Sequence, residues 1–124
     1  MESYTDISAI KYVFSKKFVL TYKRLTQEMV CKEFVLSKQL LRSGTSIGAN
    51  VEEGQHPQSM ADFISKMSIA LKEARETQYW IRLLRDTDYL PKADAESLLI
   101  DCQSILHILI AIVNTANKNK AKAK

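Results

Sequence analysis

The stretch Ser59–Asp86 reads SMADFISKMSIALKEARETQYWIRLLRD, and its periodicity decides the fold. Met60, Phe63, Met67, Ala70, Ala74, Thr77, Ile81 and Leu84 recur at spacings of three and four without a miss, as one face of an α-helix does. Ser59 followed by Asp62 has capping-box form, which marks the start chemically. Asp62 and Lys66, Lys72 and Glu76, and Arg82 and Asp86 stand four apart on the flanks; such pairs are worth a few tenths of a kcal/mol at most. A helix of this length spans about 40 Å at roughly 1.5 Å per residue, which is typical of a bundle.

The same pattern extends in both directions. Downstream, Ala95, Leu98, Cys102, Ile105, Leu109, Ile112 and Ala116 form a seam thickened by Leu99, Leu106 and Val113, with Pro91 just ahead of it. The uncharged run Cys102–Asn117 is interrupted by Ser104, His107 and Asn114. It falls short of the roughly 20 apolar residues a bilayer needs, so a buried helix is expected rather than a membrane span. Upstream, Ile7, Ile10, Phe14, Phe18, Thr21 and Leu25 form one stripe, and Leu36, Leu40, Gly44, Ile47 and Val51 another. Continuing the first past Met29 puts Lys32 or Glu33 in the core, so a break is expected between about Thr26 and Glu33. Gly54 and Pro57 end the second helix. The expectation is an all-α, antiparallel up-down four-helix bundle with helices at about 6–26, 33–54, 59–86 and 92–117. One domain then covers 1–117, and a mobile basic tail covers 118–124.

Composition agrees with this and narrows the chemistry. The chain has 124 residues, 46% hydrophobic and 26% charged, as one ordinary soluble domain has. Only 3 Gly and 2 Pro are present, too few for the turns of an all-β fold or for a glycine-rich phosphate loop. The 2 Cys make neither a disulfide framework nor a zinc-binding pair. The start, Met-Glu-Ser-Tyr-Thr-Asp, is acidic and polar, unlike a secretory signal, so a cytoplasmic protein is expected. The net charge is +4, and Lys118, Lys120, Lys122 and Lys124 account for all of the excess. Within the remainder the N-terminal half is basic and the middle acidic.

No catalytic, metal or cofactor site is expected, and no small-molecule substrate. A di-metal carboxylate bundle needs two inward Glu-x-x-His pairs and two further Glu. Only Glu53-Gly54-Gln55-His56 has that form, at a helix end, and His107 has no Glu three residues before it. Cys102 reads as a small buried hydrophobe and Cys31 lies near a connection; neither has a His at helical spacing. His107 shares a face with Gln103 and Asn114, and Asp86-x-Asp88 reads as turn chemistry. Trp80 with Ile69 and Leu83 forms a second apolar stripe, read as a candidate subunit interface, the alternative being one wide core face.

The stretch Glu33–Gly54, EFVLSKQLLRSGTSIGANVEEG, carries a resemblance. Its core, Arg42-Ser43-Gly44-Thr45-Ser46-Ile47-Gly48-Ala49-Asn50-Val51-Glu52-Glu53-Gly54, resembles the small bundle proteins encoded in intervening sequences within bacterial 23S rRNA genes. Glu52 stands where that family more usually has Ala. A second block, Ser59, Asp62-Phe63, Ile69-Ala70, Glu73 and Glu76-Thr77, also fits, and the similarity spans about residues 6–117. The resemblance implies a homo-oligomeric ring, with a pentamer the form to expect, and no enzymatic activity. It also implies an association with RNA or a nucleoprotein, as in nucleic-acid-binding relatives from diversity-generating retroelements.

Physically, Gly44, Ser46 and Gly48 form a small-residue patch that lets a helix approach closely, although each mid-helix Gly costs about 1 kcal/mol relative to Ala. Asn50 can reach a backbone group of the facing helix, and Glu53 a nearby base or helix end. Lys17, Lys23, Arg24, Lys38 and Arg42 are the candidate nucleic-acid contacts. Lys38 and Arg42 stand four apart with no acid at helical spacing between them, as a phosphate-contacting pair requires. Arg24–Glu28 and Glu28–Lys32 are internally compensated. The competing reading is a protein-interaction adaptor or scaffold whose acidic middle meets a basic partner.

Overall fold

The computed structural model describes the backbone of residues 2–28 and 32–122, and the side chains of 11–27 and 32–122. Ile7, Ile10, Cys31 and the Arg24–Glu28 and Glu28–Lys32 pairs lie outside those side chains. Among the described residues there are four α-helices: α1 Glu2–Lys23, α2 Val35–Gly54, α3 Met60–Asp86 and α4 Lys92–Lys122. A π-helical turn, Arg24–Glu28, continues α1. Each helix packs on the next and α1 closes against α4, so α1 and α3 stand at opposite corners of an up-down bundle.

The core follows the three-and-four stripes. Phe14, Phe18, Leu40, Ile47, Val51, Met67, Ile81, Leu84, Ile105, Leu109 and Ile112 are buried together. Burial of each large side chain contributes roughly 1.5–3 kcal/mol, far more than the flanking charges. By length and composition α4 is apolar enough to cross a membrane, but its seam from Ala95 to Ala116 is buried in the bundle.

Helix ends are set by polar side chains. Ser59 Oγ accepts from the Asp62 amide at 3.0 Å, and the Asp62 carboxylate accepts from the Gln58 amide at 3.2 Å. At α2 the N-cap Phe34 supplies no side-chain bond. The preceding residue does so instead: the Glu33 carboxylate accepts from the amides of Val35 at 2.9 Å, Ser37 at 3.0 Å and also Leu36. Glu33 breaks the apolar stripe yet is buried, because it satisfies amides that have no partner within the helix. Lys32, at φ 45°, turns the chain into this cap.

Three expected boundaries change. Helix α1 begins at Glu2 rather than at about residue 6. The α-helical part of α1 ends at Lys23, and the turn after it is π-helical. At the other end, α4 continues through Lys122 rather than stopping at 117. Its final residues are all exposed, so Lys118, Lys120 and Lys122 lie on helix that runs past the core, where cations offset the helix dipole.

Gly44 and Gly48 mark the close approach of α1 and α2. A Cβ built on Gly44 would lie 2.4–2.8 Å from ring atoms of Phe18, which is fully buried. On Gly48 it would meet Ser15 Oγ at 2.3 Å and the Lys11 carbonyl oxygen at 3.3 Å. The first obstacle is a ring held on all sides; the second is chiefly a hydroxyl that can rotate away. Gly44→Ala is therefore expected to destabilise the fold by about 1–3 kcal/mol through overpacking, against the roughly 1 kcal/mol gain of an unobstructed helical Gly→Ala. Gly48→Ala is expected to cost less, with urea denaturation midpoints as the check.

Candidate nucleic-acid interface

The charged residues that look segregated along the chain meet across helices. α1 reaches α4 through Lys17–Asp101 and through Arg24–Asp94 at 3.0 Å. α2 reaches α3 through Arg42, which pairs with Glu73 at 3.2 Å and with Glu76, and through Glu53–Lys66 at 3.6 Å. Lys11 joins α1 to Glu52 of α2 at 2.8 Å and holds that carboxyl below the usual carboxylate range. The basic first half and acidic middle are thus largely complementary inner flanks.

These contacts replace the pairs expected four apart on α3. Lys66 goes to Glu53, and Asp62 caps its own helix. Glu76 takes Arg42 together with the indole N–H of Trp80 at 3.1 Å. Asp86 takes its neighbour Arg85 at 2.7 Å, which lowers the Asp86 pKa. Every described carboxylate other than Asp88 and Glu96 sits in an ion pair or on a helix start.

Of the five candidate contacts, Lys17, Arg24 and Arg42 are therefore engaged with carboxylates. Lys38 and Arg42 do not act as a matched pair, because the acids facing Arg42 come from α3. Lys23 and Lys38 are exposed and form no ion pair among the described residues. The signal missed in the sequence lies on α3, where Lys72, Arg75 and Arg82 are exposed. Glu76 stands four residues from Lys72 and Asp86 four from Arg82, but those acids pair with Arg42 and Arg85.

The small-residue patch faces α1. Asn50 does not cross to a facing helix: its Nδ2 donates to the Ser46 carbonyl at 2.9 Å and to Ser46 Oγ at 3.1 Å, within α2. The α2–α3 contact is bridged by the buried hydroxyls of Ser43 and Thr77, 2.9 Å apart. Glu53 reaches Lys66, as noted.

Trp80 of the candidate interface is half-buried and packs against the core, while Leu83 is half-buried and Ile69 is 38% exposed. The exposed large apolar side chains cluster instead on α1, at Tyr12, Val13, Val19 and Leu20. Their spacing was readable as a second stripe behind Phe14 and Phe18. Cys102 is buried, and burial pushes its thiol up to about 12, so it carries no thiolate at neutral pH. Among the described residues no cluster of three or more His, Cys, Asp or Glu could hold a metal.

Sequential packing, charge-matched inner flanks and a glycine-mediated α1–α2 contact define a four-helix-bundle protein. Residues 10–111 match the 23S rRNA-intervening sequence protein family, and the chain belongs to that family. It is also similar to a crystal structure from Bacteroides thetaiotaomicron VPI-5482, described as a protein with unknown function from the S23 ribosomal protein family. That match has a TM-score of 0.86 and 46% identity, covering 90% of this chain and 98% of the other. No curated protein sequence matches the chain.

Arg42 is half-exposed, but Glu73 opposite it keeps only 12% of its side-chain surface. Removing the cation strands a nearly buried carboxylate. Arg42→Gln is expected to cost about 1–2 kcal/mol, below the roughly 3–5 kcal/mol of a fully buried pair. Lys38→Gln is expected to leave the urea midpoint unchanged, which separates the structural cation from the surface one.

Proposed function

We propose that the protein is a non-catalytic, self-associating, cytoplasmic bundle that binds RNA through surface charge. The observation that supports this most is the use of the carboxylates: nearly all described ones are turned into ion pairs or helix caps, whereas many cations are not. Lys23, Lys38 and the terminal Lys118, Lys120 and Lys122 are exposed. Lys23 and Lys38 stand outside the ion pairs among the described residues, and together with the terminal lysines they favour a polyanion over a basic partner. The adaptor reading needs a free acidic surface on the middle of the chain, and Glu73, Glu76 and Asp86 are already paired. The name of the family, 23S rRNA-intervening sequence protein, points the same way.

Binding of this kind depends on counterion release, so affinity for RNA should fall steeply with salt and show little sequence preference. Lys23→Glu combined with Lys38→Glu should weaken binding to all RNA sequences alike, measured by anisotropy of a labelled single strand. A complex insensitive to salt, or one that survives nuclease treatment in a pull-down, would overturn the reading.

Self-association is part of the same proposal, with the pentameric ring as its expected form and α1 as the surface covered. Tyr12, Val13, Val19 and Leu20 stand 43–71% exposed on one helix, a concentration of apolar surface that soluble monomers rarely leave open. The partner proposed is a second copy, since Ile100 of α4, 67% exposed, offers a further apolar residue on a neighbouring helix. Light scattering after gel filtration should give a multiple of the 14.1 kDa chain mass. Val13→Glu with Leu20→Glu should return it to a monomer that keeps its helical circular dichroism.

A further inference from the structure

We propose that the outer face of α3 is a binding track for single-stranded RNA, with Lys72, Arg75 and Arg82 contacting phosphates and Tyr79 stacking on an unpaired base. This rests on the RNA-binding reading above and adds a site on α3 to the surface charge of Lys23 and Lys38.

The four residues fall at spacings of three, four and three, which places them in one row on a helix. All four are exposed, and the row lies opposite the buried positions Ala70, Ala74, Thr77, Ile81 and Leu84. From Lys72 to Arg82 it rises about 15 Å at roughly 1.5 Å per residue.

An ordinary solvated helix face carries acids that neutralise such cations. Here the carboxylates within reach along the helix are already engaged: Glu76 by Arg42 and Trp80, and Asp86 by the Nε and Nη2 of Arg85. Lys72, Arg75 and Arg82 form no ion pair among the described residues. Arg82 contributes only a minor attraction to Asp86.

Tyr79 is the feature that selects the partner. It is 50% exposed, in the middle of a cationic row. Its ring meets that of Trp80 at 5.0 Å between centroids and 72° between planes. Trp80 is held in turn by its N–H bond to Glu76, which Arg42 anchors to α2. A surface tyrosine braced through three side chains is held before a ligand arrives, which reduces the ordering cost of binding. An acidic peptide would use the cations but not the ring face, and duplex RNA keeps its bases stacked away from it. Cations alternating with a fixed aromatic suit a single strand.

The test uses the full chain and a fluorescein-labelled, mixed-sequence single-stranded RNA of roughly 16 nucleotides, followed by anisotropy between about 50 and 200 mM KCl. Lys72→Gln/Arg75→Gln/Arg82→Gln should weaken binding at least about ten-fold. It should also lower the slope of log affinity against log salt by about 2, from roughly 0.7 per phosphate contact. Tyr79→Leu should weaken binding about ten-fold with the slope unchanged, a split that general unfolding would not produce. All positions are exposed, and circular dichroism melting checks the fold. If the wild type fails to bind, both this assignment and the RNA reading fall. If the wild type binds but the triple variant keeps its slope, the assignment alone falls. It also falls if a blunt RNA hairpin binds as tightly as the single strand, or if polyglutamate displaces the RNA at equal charge concentration.

Discussion

The Phe18 ring occupies the space that a side chain at position 44 would need, and much of the bundle is arranged around that contact. The ring is fully buried and meets Phe14 nearly perpendicularly at 4.6 Å. Seating it on bare backbone draws α1 down onto α2. On the opposite flank of α1, toward α4, a groove of about 260 Å³ opens among Val13, Phe14, Lys17, Asp101, Ser104 and Ile105. Long side chains span that gap: Lys17 reaches Asp101 and Arg24 reaches Asp94. Surface pairs of this type add little stability, so their contribution is closure and register rather than the main cohesion.

Three consecutive residues of α2 carry this arrangement to the neighbouring helices. Gly44 receives Phe18, Ser43 shares a buried hydrogen bond with Thr77, and Arg42 holds Glu73 and Glu76. One turn of helix thus fixes α1 on one side and α3 on the other. Its Arg-Ser-Gly order combines a long cation at the rim, a small hydroxyl inside and no side chain at the closest approach. A glycine in mid-helix costs about 1 kcal/mol. Here that cost is offset by burial of an aromatic ring, worth roughly 1.5–3 kcal/mol.

The bundle was legible in the sequence because burial dominates and leaves a period. The stripe from Met67 to Leu84 and the seam from Ala95 to Ala116 correspond to buried faces, and Ser59 does cap α3; at the start of that stripe Phe63 is partly buried and Met60, in the first turn, is exposed. What was not legible depends on rotation and register between helices. Glu76 is four residues from Lys72, yet it faces Arg42; spacing along one helix carries no information about what a second helix brings opposite. Glu33 was readable as a break, but not as the cap of α2, because its role depends on the chain turning at Lys32. The end of α4 was misplaced because polar residues without an apolar period still extend a helix that has already been nucleated. The candidate cations of α1 and α2 were chosen from local charge alone, and three of them turned out to have acids facing them from α3 or α4.

The placement of α1 and α3 at opposite corners gives that pairing a wider consequence. Glu73, Glu76, Asp94 and Asp101 are spent on cations of the first half of the chain and Asp86 on Arg85, so Lys72, Arg75 and Arg82 on the outer surface of α3 form no ion pair among the described residues. The outer surface of α1 instead carries Tyr12, Val13, Val19 and Leu20. Apolar and cationic faces on one small domain interfere if they adjoin, since covering one dehydrates the other and stranded charge is expensive. Separated by the width of the bundle, they can be occupied independently. In the proposed assembly a copy of the chain docked along α1 would leave the α3 row in water, and each added copy would bring another row with it. Repetition then increases affinity for a long polyanion by effective concentration rather than by any new contact. On the proposed reading, a chain with only a modest net charge would in this way hold a nucleic acid without an interior site.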